Sequence, residues 1–275
     1  MNQKLIEFSK KQLGRIEVIM NQDNRSFNID QYHELRVEIK KLKLILNIIN
    51  ESGTRLKKNK HLNKLMCLFK QAGKIRELDL LIVHLKSFKT IKKTNPLQLE
   101  ISKALKKEKL YFFKLKANPI NYKKIKKPVS AKLKKLQSIK AYPKALKNKL
   151  IKDIKIWEKY NSKNSDKKSI TVSKLHQARI HLKYWINYLK ILKQELPKNQ
   201  FVSMEDLALK LGEWHDLIEF KKHLNQFLEN PIILKGSIDD TLLILLKNKN
   251  QIEFLEMEIN KKIKEIDWVD DKNKK

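Results

Sequence analysis

Apolar residues recur at three- and four-residue intervals along almost the whole chain, with few breaks. That spacing puts them on one side of a helix rather than on alternate faces of a strand. It predicts helices over about 2–22, 31–51, 58–88, 97–117, 130–140, 144–161, 171–195, 203–228 and 237–268. Asp30 is placed to cap the start of the second, and Thr171 or Ser173 the seventh. Pro231 and Gly236 bracket a turn before the last. Residues 118–130, NPINYKKIKKPVS, hold two prolines and a basic run and read as the least structured stretch. Polar loops are predicted at 89–96 and 161–169, with a polar end at 269–275.

The helical pattern repeats. Residues 32–50 read YHELRVEIKKLKLILNIIN, and residues 175–193 read LHQARIHLKYWINYLKILK. At an offset of 143, His33 falls on His176, Arg36 on Arg179 and Lys40 on Lys183. A second match follows each copy: AGKIRELDLLI at 72–82 and LGEWHDLIEF at 211–220. Here Gly73 falls on Gly212 at an offset of 139. The four-residue difference is that of a shorter loop or of one helical turn.

Projected down the helix axis, His33, Arg36, Lys40, Lys43 and Asn47 share an arc of about 80°. Leu35, Ile39, Leu42, Leu46 and Ile49 form the core face. In the second copy His176, Arg179, Lys183 and Lys190 repeat the polar stripe, and Ala178, Leu182, Trp185 and Leu189 repeat the core face. A cationic stripe at the flank of a core face lines a groove more readily than one on the far side. Cations three, four and seven residues apart stand about 4.5–10 Å apart along the axis, a ladder that successive phosphates of an extended chain can meet. Histidine adds a donor that gains charge on mild acidification.

Composition sharpens this picture. The 275 residues carry 62 Lys+Arg against 30 Asp+Glu, a formal net charge of +32. Such a field repels itself and points to an anionic partner: nucleic acid, anionic lipid or a phosphate polymer. Five glycines and six prolines exclude collagen-like and Pro/Gly-rich disordered chains, and 41% hydrophobic residues argue against general disorder. The single cysteine, Cys67, sits in an apolar run and reads as a buried core thiol. No signal peptide and no membrane-length apolar run is visible. With no disulfide available, a reducing, cytoplasmic location is expected.

The ordered set of motifs, YHELRVEIKKLKLIL and LHQARIHLKYWINYL, each followed by a glycine and then [RH]-[ED], resembles the CHAD domain, the conserved histidine α-helical domain. The resemblance covers about residues 1–270. It implies an all-α fold of two pseudo-symmetric antiparallel helical bundles flanking a central basic groove or pore, a single domain over 1–275 with half-repeats at about 1–125 and 130–270. It also implies non-catalytic binding of inorganic polyphosphate without metal or cofactor, and a role in targeting the protein to polyphosphate-rich bodies. Carried over by residue, the binding positions are His33, Arg36, Lys40, Lys41, Lys43 and Arg76 in the first half, and His176, Arg179, Lys183 and His215 in the second. Tyr184 and Ile186 replace cations in the second copy, and Lys190 on the same face is expected to compensate. Glu77, Asp79 and Asp216 are the acidic neighbours that orient or partly neutralise Arg76 and His215. Gly73 and Gly212 are expected to permit close helix approach.

Two rival readings follow from the residues. An enzyme is disfavoured: there is no Walker loop, dinucleotide fingerprint or nucleophile elbow. The string EMEINK, Glu256 to Lys261, has Asn260 where a tunnel-type triphosphatase motif requires lysine. No histidine pair has the i, i+4 spacing of a helical zinc site; His61, His84 and His223 read as surface or packing residues. Sequence-independent RNA or DNA binding is the alternative function, since phosphate contacts alone suffice for it. The four tryptophans, Trp157, Trp185, Trp214 and Trp268, read as core rather than as a base-stacking platform.

Overall fold

The computed structural model describes residues 2–24, 27–53, 56–87, 96–136, 141–161, 168–192, 198–228 and 238–266. Among them are nine helices and no strand: α1 (Asn2–Met20), α2 (Ile29–Glu51), α3 (Lys60–Ser87), α4 (Pro96–Lys116), α5 (Lys123–Lys134), α6 (Ala141–Asn161), α7 (Lys168–Leu192), α8 (Lys198–Leu228) and α9 (Ile238–Glu265). None of them is long and apolar enough to cross a membrane.

The chain divides into two compact units: residues 1–139 with 219–246, and 140–218 with 247–275. Each is therefore discontinuous in sequence, and α8 and α9 contribute to both. In the first unit α1 packs on α2 and α5, α2 on α3, and α3 on α4. Leu5, Leu13, Ile16, Leu35, Ile39, Leu42 and Ile49 are buried there. An aromatic knot fixes the entry to α2: Phe27, Tyr32 and Phe112 hold ring centroids 4.8–5.3 Å apart. A second cluster joins Leu81, Leu85 and Ile101 to Phe220, Leu224 and Ile244.

The core of the second unit gathers Leu150, Trp157, Leu182, Trp185, Leu211, Trp214 and Ile259 from α6, α7, α8 and α9. Three of the four tryptophans are thus core residues, and Trp268 lies outside the described residues. Polar side chains at this core find partners: Trp214 Nε1 donates to Glu256 at 3.0 Å, and Asp153 meets His181 at 2.9 Å and Lys174 at 3.4 Å. Lys210–Glu258 and Lys262–Asp206, both 2.9 Å, set α8 and α9 antiparallel.

Several sequence expectations are corrected. α2 starts at Ile29, two residues earlier than Asp30 would allow as a cap. Asn28 caps it, accepting from the Asp30 and Gln31 amides, and Gln31 returns a bond to the Asn28 N–H. α2 closes with Gly53 in the left-handed region at φ 77°. Thr171 and Ser173 lie inside α7. The turn bracketed by Pro231 and Gly236 falls outside the described residues. Cys67 is exposed, because Leu65, Leu68, Ala72 and Ile75 define the buried side of α3 and Cys67 points away from it.

The largest correction is α5, which occupies most of the stretch expected to be a linker. Pro128 sits inside it and has no N–H to give to the Lys124 carbonyl one turn back. The Asn59 side-chain amide donates to that carbonyl instead, at 2.7 Å. Asn59 also caps α3, its Oδ1 accepting from His61 N at 3.0 Å and Leu62 N at 3.1 Å. The buried Ile125, Val129 and Leu133 hold α5 against its neighbours, with its lysines outward.

Candidate anion-binding site

In the first unit, α2 carries its cationic stripe along α3. The contact is close where α3 has Gly73. A Cβ there would lie 2.2 Å from Arg36 Nη1, so only glycine leaves room for the guanidinium. Arg36 uses that room to donate to the Phe69 carbonyl at 3.2 Å. It also stands 4.9 Å from the centre of the Phe69 ring. Lys43 shares the same ring at 4.8 Å. Phe69 is thus a platform for two cations, and sequence reasoning missed it. The only signal was its place one turn before Gly73.

Around this platform the other groups are electrostatically coupled. Arg76 is held by Asp79 at 3.0 Å. His33 is held below its ordinary value by desolvation, then by Arg76, Lys40 and Arg36, with Asp30 opposing. Lys43 is lowered by desolvation and by Arg36 and Lys70. Burial raises the Glu77 carboxyl, which Arg36 pulls back down. The first half therefore brings His33, Arg36, Lys40, Lys43 and Arg76 into one field. Lys41 is not brought to it. Its amine pairs with the buried Glu38 at 2.6 Å, and Arg15 of α1 reaches the same carboxylate at 3.5 Å.

In the second unit the corresponding pair is α7 and α8. His176 Nδ1 and His215 Nδ1 are 3.2 Å apart, a contact in which one ring donates and the other accepts. Lys183 lies over Gly212, with Nζ 3.8 Å from where a Cβ would be. Desolvation, aided by Arg179 and opposed by Asp216, brings Lys183 down to about 8. Lys190 stands apart, its amine 2.5 Å from Glu205 and 5.6 Å from the Phe201 ring centre. Ile186 is buried and Tyr184 packs on the core, which accounts for the cations missing there.

The two halves are not copies in detail. Arg36 lies over the first glycine, but the residue over the second is Lys183, the counterpart of Lys40. With α2 laid on α7, Gly212 occupies the place of Phe69, and Asp216 the place of Gly73. The four-residue difference between the repeats thus appears as a shift of Gly212 by one helical turn along α7. One half seats a guanidinium on an aromatic ring; the other seats an amine in the gap left where that ring is absent. Among the described residues no group of three or more His, Cys, Asp or Glu could hold a metal.

These features define an all-helical protein with a basic helix pair in each half. The chain has the CHAD-domain fold. It superposes on the crystal structure of the CHAD domain from the plant Ricinus communis with a TM-score of 0.66, over 94% of this chain and 91% of that one, at 12% sequence identity. No family model and no curated sequence matches the chain.

Proposed function

We propose that the protein binds inorganic polyphosphate without catalysis, through His33, Arg36, Lys40, Lys43 and Arg76 in one half and His176, Arg179, Lys183 and His215 in the other. The observation that carries this reading is the desolvated cations gathered beside each glycine helix, above all Lys183. Holding an ammonium out of water among other cations costs stability, and an anion that accepts from it offsets that cost. The resemblance to CHAD domains and the shared fold support the same ligand. Lys41 and Lys190, held by Glu38 and Glu205, contribute less. Polyphosphate binding of this kind would also localise the protein to polyphosphate-rich bodies.

The test separates a site from diffuse charge. Replacing Arg36, Lys40, Arg179 and Lys183 with alanine removes four charges. Replacing the exposed Lys123, Lys124, Lys126 and Lys127 of α5 removes the same number. Each desolvated, charge-assisted contact to phosphate is worth about 1.5–3 kcal/mol, and each exposed lysine about 1 kcal/mol or less. Calorimetry on folded variants should show a loss of several kcal/mol for the first set and a clearly smaller one for the second. Equal losses would refute the site. If RNA or DNA competes with polyphosphate at equal phosphate concentration and salt, the sequence-independent nucleic-acid reading replaces this one.

A further inference from the structure

We propose that Lys183 is a site of covalent acylation whose donor is an acyl phosphate, recruited by the cations around it. The inference rests on the anion-binding reading above and adds a reaction to it. The geometry supplies three things. The Lys183 amine lies against α8, its Nζ 3.8 Å from where a Cβ on Gly212 would stand. Arg179 precedes it by one turn of α7, with side-chain roots about 5–6 Å apart, close enough for one small molecule to touch both. Asp216 of α8 is the carboxylate that acts on the amine from the facing helix.

An acyl phosphate matches this arrangement at both ends. Its phosphoryl oxygens accept from Arg179, and its carbonyl carbon is presented to Nζ. The amine lone pair attacks that carbon, the C–O bond to phosphate breaks, and an amide forms. The amine proton leaves with the phosphate as hydrogen phosphate, so no oxidant, metal or further reactant is required.

The reaction needs a neutral amine, and here the surroundings supply one. Lys43, Lys64 and Lys116 are also lowered, desolvation being the first cause, but among the described residues only Lys183 is brought to about 8. At pH 7.5 such an amine is roughly one-quarter neutral, against about 0.1% for an ordinary lysine. Lower basicity also weakens the nucleophile. With a slope near 0.5, as found for thiolates, the net advantage is about tenfold. Acylation would then remove one cation from the second half and lower its affinity for polyphosphate.

The test treats the full-length protein with acetyl phosphate at pH 7.5 and follows each lysine by peptide mass spectrometry. Lys183 should be acetylated about tenfold faster than the exposed Lys123 or Lys124, and saturating polyphosphate should suppress it. Arg179→Ala should slow the reaction with acetyl phosphate more than that with p-nitrophenyl acetate, a neutral donor of the same acyl group. If Lys183 reacts with acetyl phosphate no faster than Lys123, the proposal fails. It fails also if Lys183 leads only with the neutral ester, since the donor is then not delivered by the cations. Calorimetry with polyphosphate on the same preparation tells the two readings apart: undiminished binding beside an unreactive Lys183 overturns the acylation alone.

Discussion

A methyl group added at residue 73 or at residue 212 probes the two halves separately. Alanine suits a helix better than glycine by about 0.5–1 kcal/mol. At Gly212 the new Cβ meets only ordinary contact, so Gly212→Ala should stabilise the protein by about that amount and leave polyphosphate affinity nearly unchanged. At Gly73 the same group collides with the Arg36 guanidinium. Arg36 must leave the Phe69 carbonyl, and the helix gain is spent on that loss. Gly73→Ala should therefore show little net gain in denaturant titrations and a weaker grip on polyphosphate. Titration distinguishes the halves as well. Bound phosphate raises the pKa of any cation it touches. Affinity gained that way is full below the free-site pKa and is lost as pH rises through the bound-site value. His33 starts below its ordinary value, so its contribution grows as pH falls from about 7.5 to 6. Lys183 starts at about 8, so affinity should fall as pH rises above that. Lys183→Arg, which does not titrate there, should flatten the alkaline limb in calorimetric profiles, and His33→Ala the acidic one.

Among the helices, α5 shows both what the chain disclosed and what it hid. The apolar spacing located the other eight within a few residues, because their packed faces are long and regular. Over 118–130 the same spacing was present in Ile125 and Val129, leading on to Leu133 of the helix expected at 130–140, but was outweighed by Pro128 and the lysine run. What reverses that judgement is Asn59, 65 residues away along the chain, which satisfies the carbonyl that Pro128 leaves open. No local pattern announces such a bond. Asn59→Ala removes this donor and the cap of α3 together, and should cost about 1–3 kcal/mol by chemical denaturation. Asn59→Asp keeps the cap and loses the donor, so its cost measures the Lys124 contact. The cationic stripes were legible for the same reason as the core faces: both follow the helical period. The turn of difference between Gly73 and Gly212 was visible as a number, but which cation each glycine would face depends on how α3 and α8 pack. Phe69 was hidden because an apolar residue in a helix reads as core, and the cation seated on it comes from another helix.

For the whole molecule, a net charge of +32 is a standing cost that any bound polyanion relieves. On the proposed function, polyphosphate should raise the melting temperature, since the sites assigned to it are assembled by folding. Added salt should reduce that rise, because the ions released from the polymer on binding then count for less.

The discontinuity of the two units has a consequence for synthesis. Leu81, Leu85 and Ile101 are covered by Phe220, Leu224 and Ile244, so the first unit is incomplete when residue 139 leaves the ribosome. At about 5–20 residues per second, roughly 5–20 s pass before residue 246 follows. Through that interval a strongly basic nascent chain holds an apolar face open. A chain stopped at residue 139 should bind a hydrophobic dye and sediment as aggregate, whereas one ending just past 246 should keep its first unit folded, as limited proteolysis would report. The N-terminal unit, first to be translated, is thus finished only after most of the C-terminal one has been made.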